Sequence, residues 1–418
     1  MKTTPVKGTN DYLPKDAALR DFLKDTILSV YQSHGFEHII TPAVEDAENL
    51  DKSDGGANLN LIFKILTRGD KLSEALESYA SGNADGNGKD LSDMGLRYDL
   101  TLPLCRFYSA NGASLPTPAK LIQIDRVYRA ERPQKGRLRE FMQCDIDIIG
   151  SSSPDSEVEL IVTTSRALEK IGIGGFRIKI NDRSLLRGVL LGMGFPEDAL
   201  DSVCVTFDKL DKIGSEGVTE ELTEKGFDAG AVDKFKEFLA ACPIPLDKIG
   251  EYTADPAAAL RLQKIIDDVS AITKGEVVPC FDISLVRGQG YYTGTVFEVE
   301  STDFKGAIAG GGRYDNLIGK FTGRDVPAVG FSIGFERIFS ILKDKSENGA
   351  HRARPRLAVI YDEGQVSGAM ALADTVRDEY DVTLFVRQKK FGRQLSRLEA
   401  DGYEGFLSTD GERKTFDK

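Results

Sequence analysis

Apolar residues recur at helical spacing over residues 17–34 (Leu19, Phe22, Leu23, Ile27, Leu28, Tyr31), and the run stops at Gly35. Residues 36–44 read as a strand broken by Pro42, and residues 81–90, rich in Gly, Asn and Asp, as a surface loop. Residues 96–104 begin as an alternating strand with Asp99 and Thr101 on one side. Alternation is clearest in the stretch that follows Arg129. There Phe141, Gln143, Asp145 and Asp147 alternate with Met142, Cys144, Ile146 and Ile148. A period of two predicts a β-strand with Gln143, Asp145 and Asp147 on one face. An amphipathic helix is predicted over 157–171 and a strand over 176–180. From about 196 to 273 helical patterns dominate, with Lys, Glu and Asp outward, which marks a helical insertion. Strand character returns over 275–283 and 291–299, and residues 328–337 read as strand, Gly334 junction and helix from Phe335. Beyond a linker at 351–356, strand 357–361, helix 365–379, strand 382–386, helix 392–400 and strand 403–407 predict a small domain with a largely parallel sheet.

Composition narrows the class. The 418 residues suffice for two or three domains, and 41% hydrophobic with 29% charged content is ordinary for a globular protein. No run of eighteen apolar residues exists, so no membrane association is expected. The N-terminus lacks an apolar signal core, and the five scattered cysteines form neither a C-x-x-C pair nor a disulfide framework. A reducing, cytoplasmic setting fits, and no structural metal is expected. A net charge of −12 argues against a generic nucleic-acid binder, so any such partner is held through local basic patches. The three histidines (His34, His38, His351) lie in no triad-like setting, so the chemistry is expected to run on charge and positioning.

Four segments carry that chemistry. The cation-rich stretch from Arg129 suits a polyphosphate, and the polar strand face beside it suits a small polar molecule; a basic surface hairpin with an edge strand is the bland alternative. Arg287 precedes glycines and then Tyr291 and Tyr292; a guanidinium beside such a turn can grip a phosphate, or the stretch is a glycine-rich hairpin with tyrosines in a core. Gly310-Gly-Gly-Arg-Tyr-Asp is either a place of very close approach or a flexible loop. Arg337 falls in a first helical turn, where anions are favoured, or is a surface arginine.

Taken in order, these segments resemble histidyl-tRNA synthetases, a family of class II aminoacyl-tRNA synthetases. Lys7-Gly-Thr-Asn-Asp11 is similar to the family's N-terminal signature, residues 34–45 to motif 1, residues 129–147 to motif 2 and residues 326–337 to motif 3. Leu285-Val-Arg-Gly with Tyr291-Tyr292, and Gly311-Gly-Arg-Tyr-Asp315, resemble stretches specific to the histidine enzyme. The resemblance implies an α+β fold with the class II antiparallel sheet and flanking helices. It implies catalytic parts at 1–195 and 274–345, the helical insertion at 196–273, and a short C-terminal anticodon-binding-like α/β domain at 355–418.

It also implies roles. Arg129 would hold the ATP α-phosphate and the substrate carboxylate, with Glu131 and Arg137 helping to hold ATP and Phe141 stacking on adenine. Arg337 would bind the γ-phosphate, and Arg287 the α-phosphate and its transition state. Asp99, Thr101 and Gln143 match the positions that hold the α-amino group; Asp147 and Tyr292, beside Tyr291, match those that read the imidazole. Arg387, Lys389, Lys390 and Arg393 are the candidates for tRNA contacts, or a solvated helix face. The implied partners are L-histidine, ATP with Mg2+, tRNA-His and a second copy of the chain through motif 1.

Departures exist as well: Gln289-Gly290 stands where Leu-Asp is common, Ala130 where a histidine is common, and Cys144-Asp145 follows a eukaryotic style. A second reading is the catalytically silent regulatory subunit of ATP phosphoribosyltransferase. Such relatives typically lack the phosphate-gripping arginines, whereas Arg129, Arg137, Arg287 and Arg337 are all present here.

Overall fold

The alternating run becomes the strand Glu140–Ile149, with Cys144, Ile146 and Ile148 fully buried on one face and Gln143, Asp145 and Asp147 on the other. The computed structural model describes residues 1–51, 59–83, 90–133, 137–253, 256–286, 291–345 and 354–416. The expectations for Arg287, Gln289 and Gly290, for the linker residue His351 and for most of the loop at 81–90 lie outside these residues.

Strand Glu140–Ile149 sits near the middle of an eight-stranded sheet. The order is Glu37–His38, Ala119–Tyr128, Glu140–Ile149, Ala328–Gly334, Phe304–Arg313, Thr295–Ser301, Phe176–Asp182 and Cys280–Phe281. The six inner strands pair antiparallel, and each two-residue edge strand joins in parallel. Helices cover the apolar face: Asp155–Lys170 packs on Ala328–Gly334, and buried Tyr31, from the second half of helix Pro14–Ser33, lies near Cys144 and Thr164. This is the expected α+β arrangement, one sheet face roofed by helices and one left for a ligand.

Several elements differ from the sequence reading for local physical reasons. Residues 36–44 do not form one strand: Glu37–His38 joins the large sheet, and Val44–Asp46 pairs with Met94–Leu96 in a separate three-stranded sheet. Pro42, which has no N–H to donate, separates them. The predicted strand at 96–104 ends at Leu96, and Thr101 opens the helix Thr101–Asn111. Asp99 Oδ1 accepts from the Leu102 N–H at 3.2 Å, and Pro103 is tolerated in that first turn. The strand expected over 275–283 shrinks to Cys280–Phe281, and that over 291–299 starts only at Thr295. The helix expected over 365–379 ends at Asp374. The stretch Gly310-Gly-Gly lies inside the strand Phe304–Arg313, so close approach, not a flexible loop, is its explanation. A Cβ on Gly311 would fall 2.0 Å from the Gly330 carbonyl oxygen.

Residues 197–272 are helical wherever they form regular elements, and Phe235 lies at the centre of their packing. Its ring meets Phe195 and Phe207 edge-on, with centroids 5.9 and 5.3 Å away, and stacks on Phe238. The chain divides into two compact units, residues 1–12 with 23–347, and residues 13–22 with 348–418. The second contains parallel strands Asp381–Val386, Arg356–Tyr361 and Gly405–Ser408, with Arg413–Thr415 added antiparallel at the edge, a strand the sequence reading missed. Along Arg356–Tyr361 the alternation splits two cores: Leu357 and Val359 pack with Ala369 and Ala373, Ala358 and Ile360 with Leu398 and Phe406.

One buried ion pair clamps the ligand-side end of the sheet. Arg313, at the end of its strand, donates from Nε and a terminal nitrogen to both Glu157 oxygens at 2.7 and 2.6 Å, and to the carbonyls of Ser151 and Ser153. It also reaches Asp315, whose carboxylate accepts from the Ala328 N–H at 3.0 Å. Burial alone would raise the Glu157 carboxyl, and the guanidinium counters part of that rise. Arg313→Met, which strands Glu157 without its partner, should cost on the order of 3–5 kcal/mol in urea unfolding, and adding Glu157→Leu should return most of it. Equal stability of the single and double variants would contradict the clamp.

Candidate active site

The segment between Leu96 and Thr101 is irregular, yet it is held rigidly. Arg97, 1% exposed, donates to the carbonyls of Arg126, Thr41 and Pro42 and pairs with Asp125 at 2.7 Å. Thr41 donates to Gln123 Oε1, and Gln123 Nε2 donates to the Leu100 carbonyl. The Arg97 carbonyl accepts from Tyr128 N–H, and the Tyr98 carbonyl from Arg129 Nε at 3.0 Å. Fixed carbonyls at Arg97, Tyr98 and Leu100, on both sides of Asp99, therefore set it beside the polar strand face.

That face is read across the ladder. Asp147 stands opposite Gly330, Asp145 opposite Ser332 and Gln143 opposite Gly334, and Gly330 in turn faces Gly312. A Cβ on Gly330 would lie 2.0 Å from Asp147 Oδ1, and one on Gly312 would lie 2.8 Å from the Tyr292 ring. The glycines thus form a floor on which a carboxylate and a phenol ring lie close to the sheet. Tyr314 donates its hydroxyl to Asp147 at 2.5 Å, and Ser332 donates to Asp145. Tyr291 packs against Tyr292 with centroids 4.8 Å apart and against Tyr314 edge-on at 6.1 Å. An aromatic box therefore borders Asp147.

Electrostatically the pocket is acidic and dry. Asp99, Asp145 and Asp147 are each at most 6% exposed. Burial, opposed in part by the Tyr314 hydroxyl and reinforced by Asp99, pushes the Asp147 carboxyl up to about 7. Burial and the neighbouring Asp147 push Asp145 up as well, with Ser332 and Arg129 pulling back. Cys105 and Tyr314 are raised by burial and by Asp147. Gln143 adds a directed acceptor: its Nε2 donates to Ser332, and its buried Oε1 meets no hydrogen-bond donor among the described residues.

A basic rim continues the same strand face. The Arg129 guanidinium lies over the Phe141 ring at 5.0 Å. The loop base is tied by Arg129 N–H to the Arg139 carbonyl, Arg139 Nε to the Glu131 carbonyl, and Arg139 N–H to the Gly8 carbonyl at 2.7 Å. Gly8 has φ +91°, and a Cβ there would meet Pro133 at 2.7 Å, which gives the N-terminal stretch its place under the loop. Arg137 is exposed and pairs with Glu131 at 3.4 Å. Arg337 lies in the first turn of helix Phe335–Lys345, donates to the Ala307 carbonyl and sits over Phe304 at 5.8 Å. Its neighbour Glu336 accepts from the Met142 N–H and from Tyr12, tying that helix to the polar strand.

The structure thus gathers Asp99, Gln143, Asp147, Tyr291 and Tyr292 around one pocket, with Arg129 and Phe141 on its rim and Thr101 at the helix start beside Asp99. Arg137 pairs with Glu131, which the sequence reading placed with it on the ATP side. Arg387, Lys389, Lys390 and Arg393 belong to the second unit, exposed at the start of helix Phe391–Ala400, where Arg387 covers the Phe391 ring at 4.4 Å. The sequence reading gave no role to Tyr314, Asp145, Ser332 or Arg97. Tyr314 lay inside the glycine-rich stretch already singled out, and Asp145 on the predicted polar face; Ser332 and Arg97 carried no local signal. Among the described residues no group of three or more His, Cys, Asp or Glu is arranged to hold a metal ion, and no helix is long and apolar enough to cross a membrane.

The sheet with its roofing helices, carrying an acidic aromatic pocket and an arginine rim on its open face, is the catalytic fold of a class II aminoacyl-tRNA synthetase. The family model described as Histidyl-tRNA synthetase matches residues 8–75 and 85–338. A histidine–tRNA ligase from Leifsonia xyli subsp. xyli is 38% identical over 424 residues, covering 98% of this chain and 96% of the relative. One from Christiangramia forsetii is 36% identical, covering 94% and 89%. The crystal structure of histidyl-tRNA synthetase from Nostoc sp. PCC 7120 superposes with a TM-score of 0.80 at 25% identity, over 100% of this chain and 97% of that one. This chain belongs to the histidyl-tRNA synthetase family. A Bacillus halodurans structure described as an ATP phosphoribosyltransferase regulatory subunit/histidyl-tRNA synthetase shares the fold, with a TM-score of 0.77 at 20% identity.

The raised Asp147 carboxyl has a measurable consequence. Its folded value of about 7 exceeds the ordinary 3.8, so between those values the native state holds more protons than the unfolded one, and stability falls as pH rises. Asp147→Asn removes the penalty while still accepting from Tyr314. It should stabilise the unliganded protein by on the order of 2–4 kcal/mol at pH 8, with the gain shrinking toward pH 5 in denaturant titrations. A gain independent of pH would rule out the carboxyl as its source.

Proposed function

We propose that this chain acts as a histidine–tRNA ligase through the pocket on the open sheet face, and that the residues gathered there divide the work as follows. The observation that carries the reading is the concentration of acceptors: three buried carboxyl groups and a Gln143 oxygen that meets no donor among the described residues, with an aromatic wall alongside. An α-ammonium group has three donors and no acceptor, so Asp99, Thr101 and Gln143 suit it. An imidazole offers a donor nitrogen to Asp147, held in place by Tyr314, while Tyr292 and Tyr291 enclose the ring. Apolar side chains of similar size would leave Asp147 unpaired, which rejects them strongly.

Activation joins the histidine carboxylate to the α-phosphorus of ATP as the bond to pyrophosphate breaks, giving histidyl-adenylate. The attacking carboxylate is already ionised, so no general base is needed. Negative charge spreads over the α-phosphoryl oxygens, where Arg129 and Arg287 stabilise it; Arg137 and Arg337 hold the outer phosphates and Phe141 stacks on adenine. Mg2+ arrives as part of the MgATP substrate. The 3′-terminal hydroxyl of tRNA-His then attacks the activated carbonyl and AMP leaves. Arg387, Lys389, Lys390 and Arg393 contact the tRNA, and the enzyme works in the cytoplasm as a homodimer joined through residues 34–45.

A regulatory role in place of catalysis is disfavoured by the presence of Arg129, Arg137, Arg287 and Arg337 together in the sequence. The test is ATP–pyrophosphate exchange with each of the twenty amino acids: exchange should depend on histidine, and none with pure protein would sink the enzyme reading. Arg287→Ala should lower the exchange rate by about 100-fold or more with histidine binding retained, because its contribution is to the transition state. Parallel losses in binding and rate would remove it from that role.

A further inference from the structure

An amide has nearly the same shape either way round, yet only its oxygen can receive an ammonium group. Gln143 therefore serves the substrate only if something fixes its orientation. In the ladder Asp145 lies directly opposite Ser332, and Gln143 is two residues before Asp145 on the same face. The Ser332 hydroxyl donates to Asp145 Oδ1, and Gln143 Nε2 lies 3.2 Å from Ser332 Oγ. A hydroxyl has one proton. With that proton given to Asp145, Ser332 has only lone pairs left for Gln143, so the amide must present its NH2 group to the serine. Its oxygen then faces away, buried and without a donor among the described residues. Turned round, the amide would aim N–H groups at the ammonium and set its oxygen against a serine lone pair.

We propose that Ser332 and Asp145 form a positioning relay that locks the Gln143 amide with its oxygen toward the α-ammonium group of the amino-acid substrate. The relay rests on the reading of this pocket as a histidine site. Asp145 is 6% exposed, so it acts through Ser332 and not by touching solvent or solute directly. Neither residue was assigned a role by the family motifs, and Asp145 falls in the Cys144-Asp145 step noted above as a departure.

The relay makes a separable prediction, read by histidine-dependent ATP–pyrophosphate exchange and by competition with two probes. Histamine has imidazole and ammonium; imidazolepropionate has imidazole and no ammonium. Ser332→Ala should raise the KM for histidine and the inhibition constant of histamine by about tenfold, the scale of one directed hydrogen bond to a charged group. It should leave the KM for ATP and the inhibition constant of imidazolepropionate unchanged. Ser332→Thr, which keeps the hydroxyl, should restore the wild-type values, and Asp145→Ala, which removes the acceptor of the serine proton, should behave like Ser332→Ala. Equal weakening of both probes would mean general damage to the pocket and would overturn the relay, as would an unchanged histidine KM in Ser332→Ala. If the wild-type protein bound 4-ethylimidazole, which has neither ammonium nor carboxylate, as tightly as histamine, the ammonium site itself would be misplaced, and the pocket reading would fall together with the relay.

Discussion

The protein buries three carboxyl groups, Asp99, Asp145 and Asp147, on one face of its central sheet, and most of the local architecture answers to that constraint. Removing a carboxylate from water is expensive unless it is paired, hydrogen-bonded or protonated. Here the compensation is partial. Tyr314 serves Asp147, Ser332 serves Asp145 and the Leu102 N–H serves Asp99. The remaining deficit appears as the raised carboxyl of Asp147 and is a standing demand for a cation. In the proposed reading of this pocket, a zwitterionic amino acid with a donor-bearing side chain meets that demand and turns a cost to the empty fold into affinity and selectivity.

Such a pocket works only if its acceptors cannot relax away from the ligand. The web around Arg97 supplies this for Asp99: the carbonyls on either side, of Arg97, Tyr98 and Leu100, are anchored by the Tyr128 N–H and by the Arg129 and Gln123 side chains. The glycine floor supplies it for Asp147 and Tyr292, since Gly330 and Gly312 leave room that any side chain would fill. The Arg313–Glu157 clamp holds the end of the strand that carries Gly312 against helix Asp155–Lys170. Buried ion pairs add little net stability, but they penalise other arrangements because either partner alone is costly.

The arginine rim is built differently. Arg129 and Arg337 rest on the aromatic rings of Phe141 and Phe304 and donate to backbone carbonyls, which keeps the guanidiniums extended along the sheet surface. Acidic pocket and basic rim therefore share one sheet face, suiting a substrate that is cationic at one end and a triphosphate that is anionic. The likeness to the Bacillus halodurans structure shows that the same scaffold accompanies different descriptions, so function is argued from these side chains and not from the fold.

Period-two alternation in the sequence was enough to place Gln143, Asp145 and Asp147 on one strand face, because a pleated strand leaves a side chain no third option. The glycine junction before Phe335 and the βαβαβ order of the last residues were equally local signals, and both elements formed close to where the pattern put them. Motif wording supplied the family, though not the geometry. What the sequence could not determine was anything that depends on partners far apart in the chain. Asp99 was read as a strand position, yet it caps a helix start, and its segment is fixed through Arg97 by Thr41 and Gln123 from two other segments. Tyr314 becomes the partner of Asp147, 167 residues away, only because Gly330 lets them meet. The raised carboxyl of Asp147 and the orientation of the Gln143 amide follow from burial and from Ser332, on a neighbouring strand. Local covalent geometry sets which way a side chain points; only the packed sheet decides what it meets there, and the chemistry of this pocket lies in those meetings.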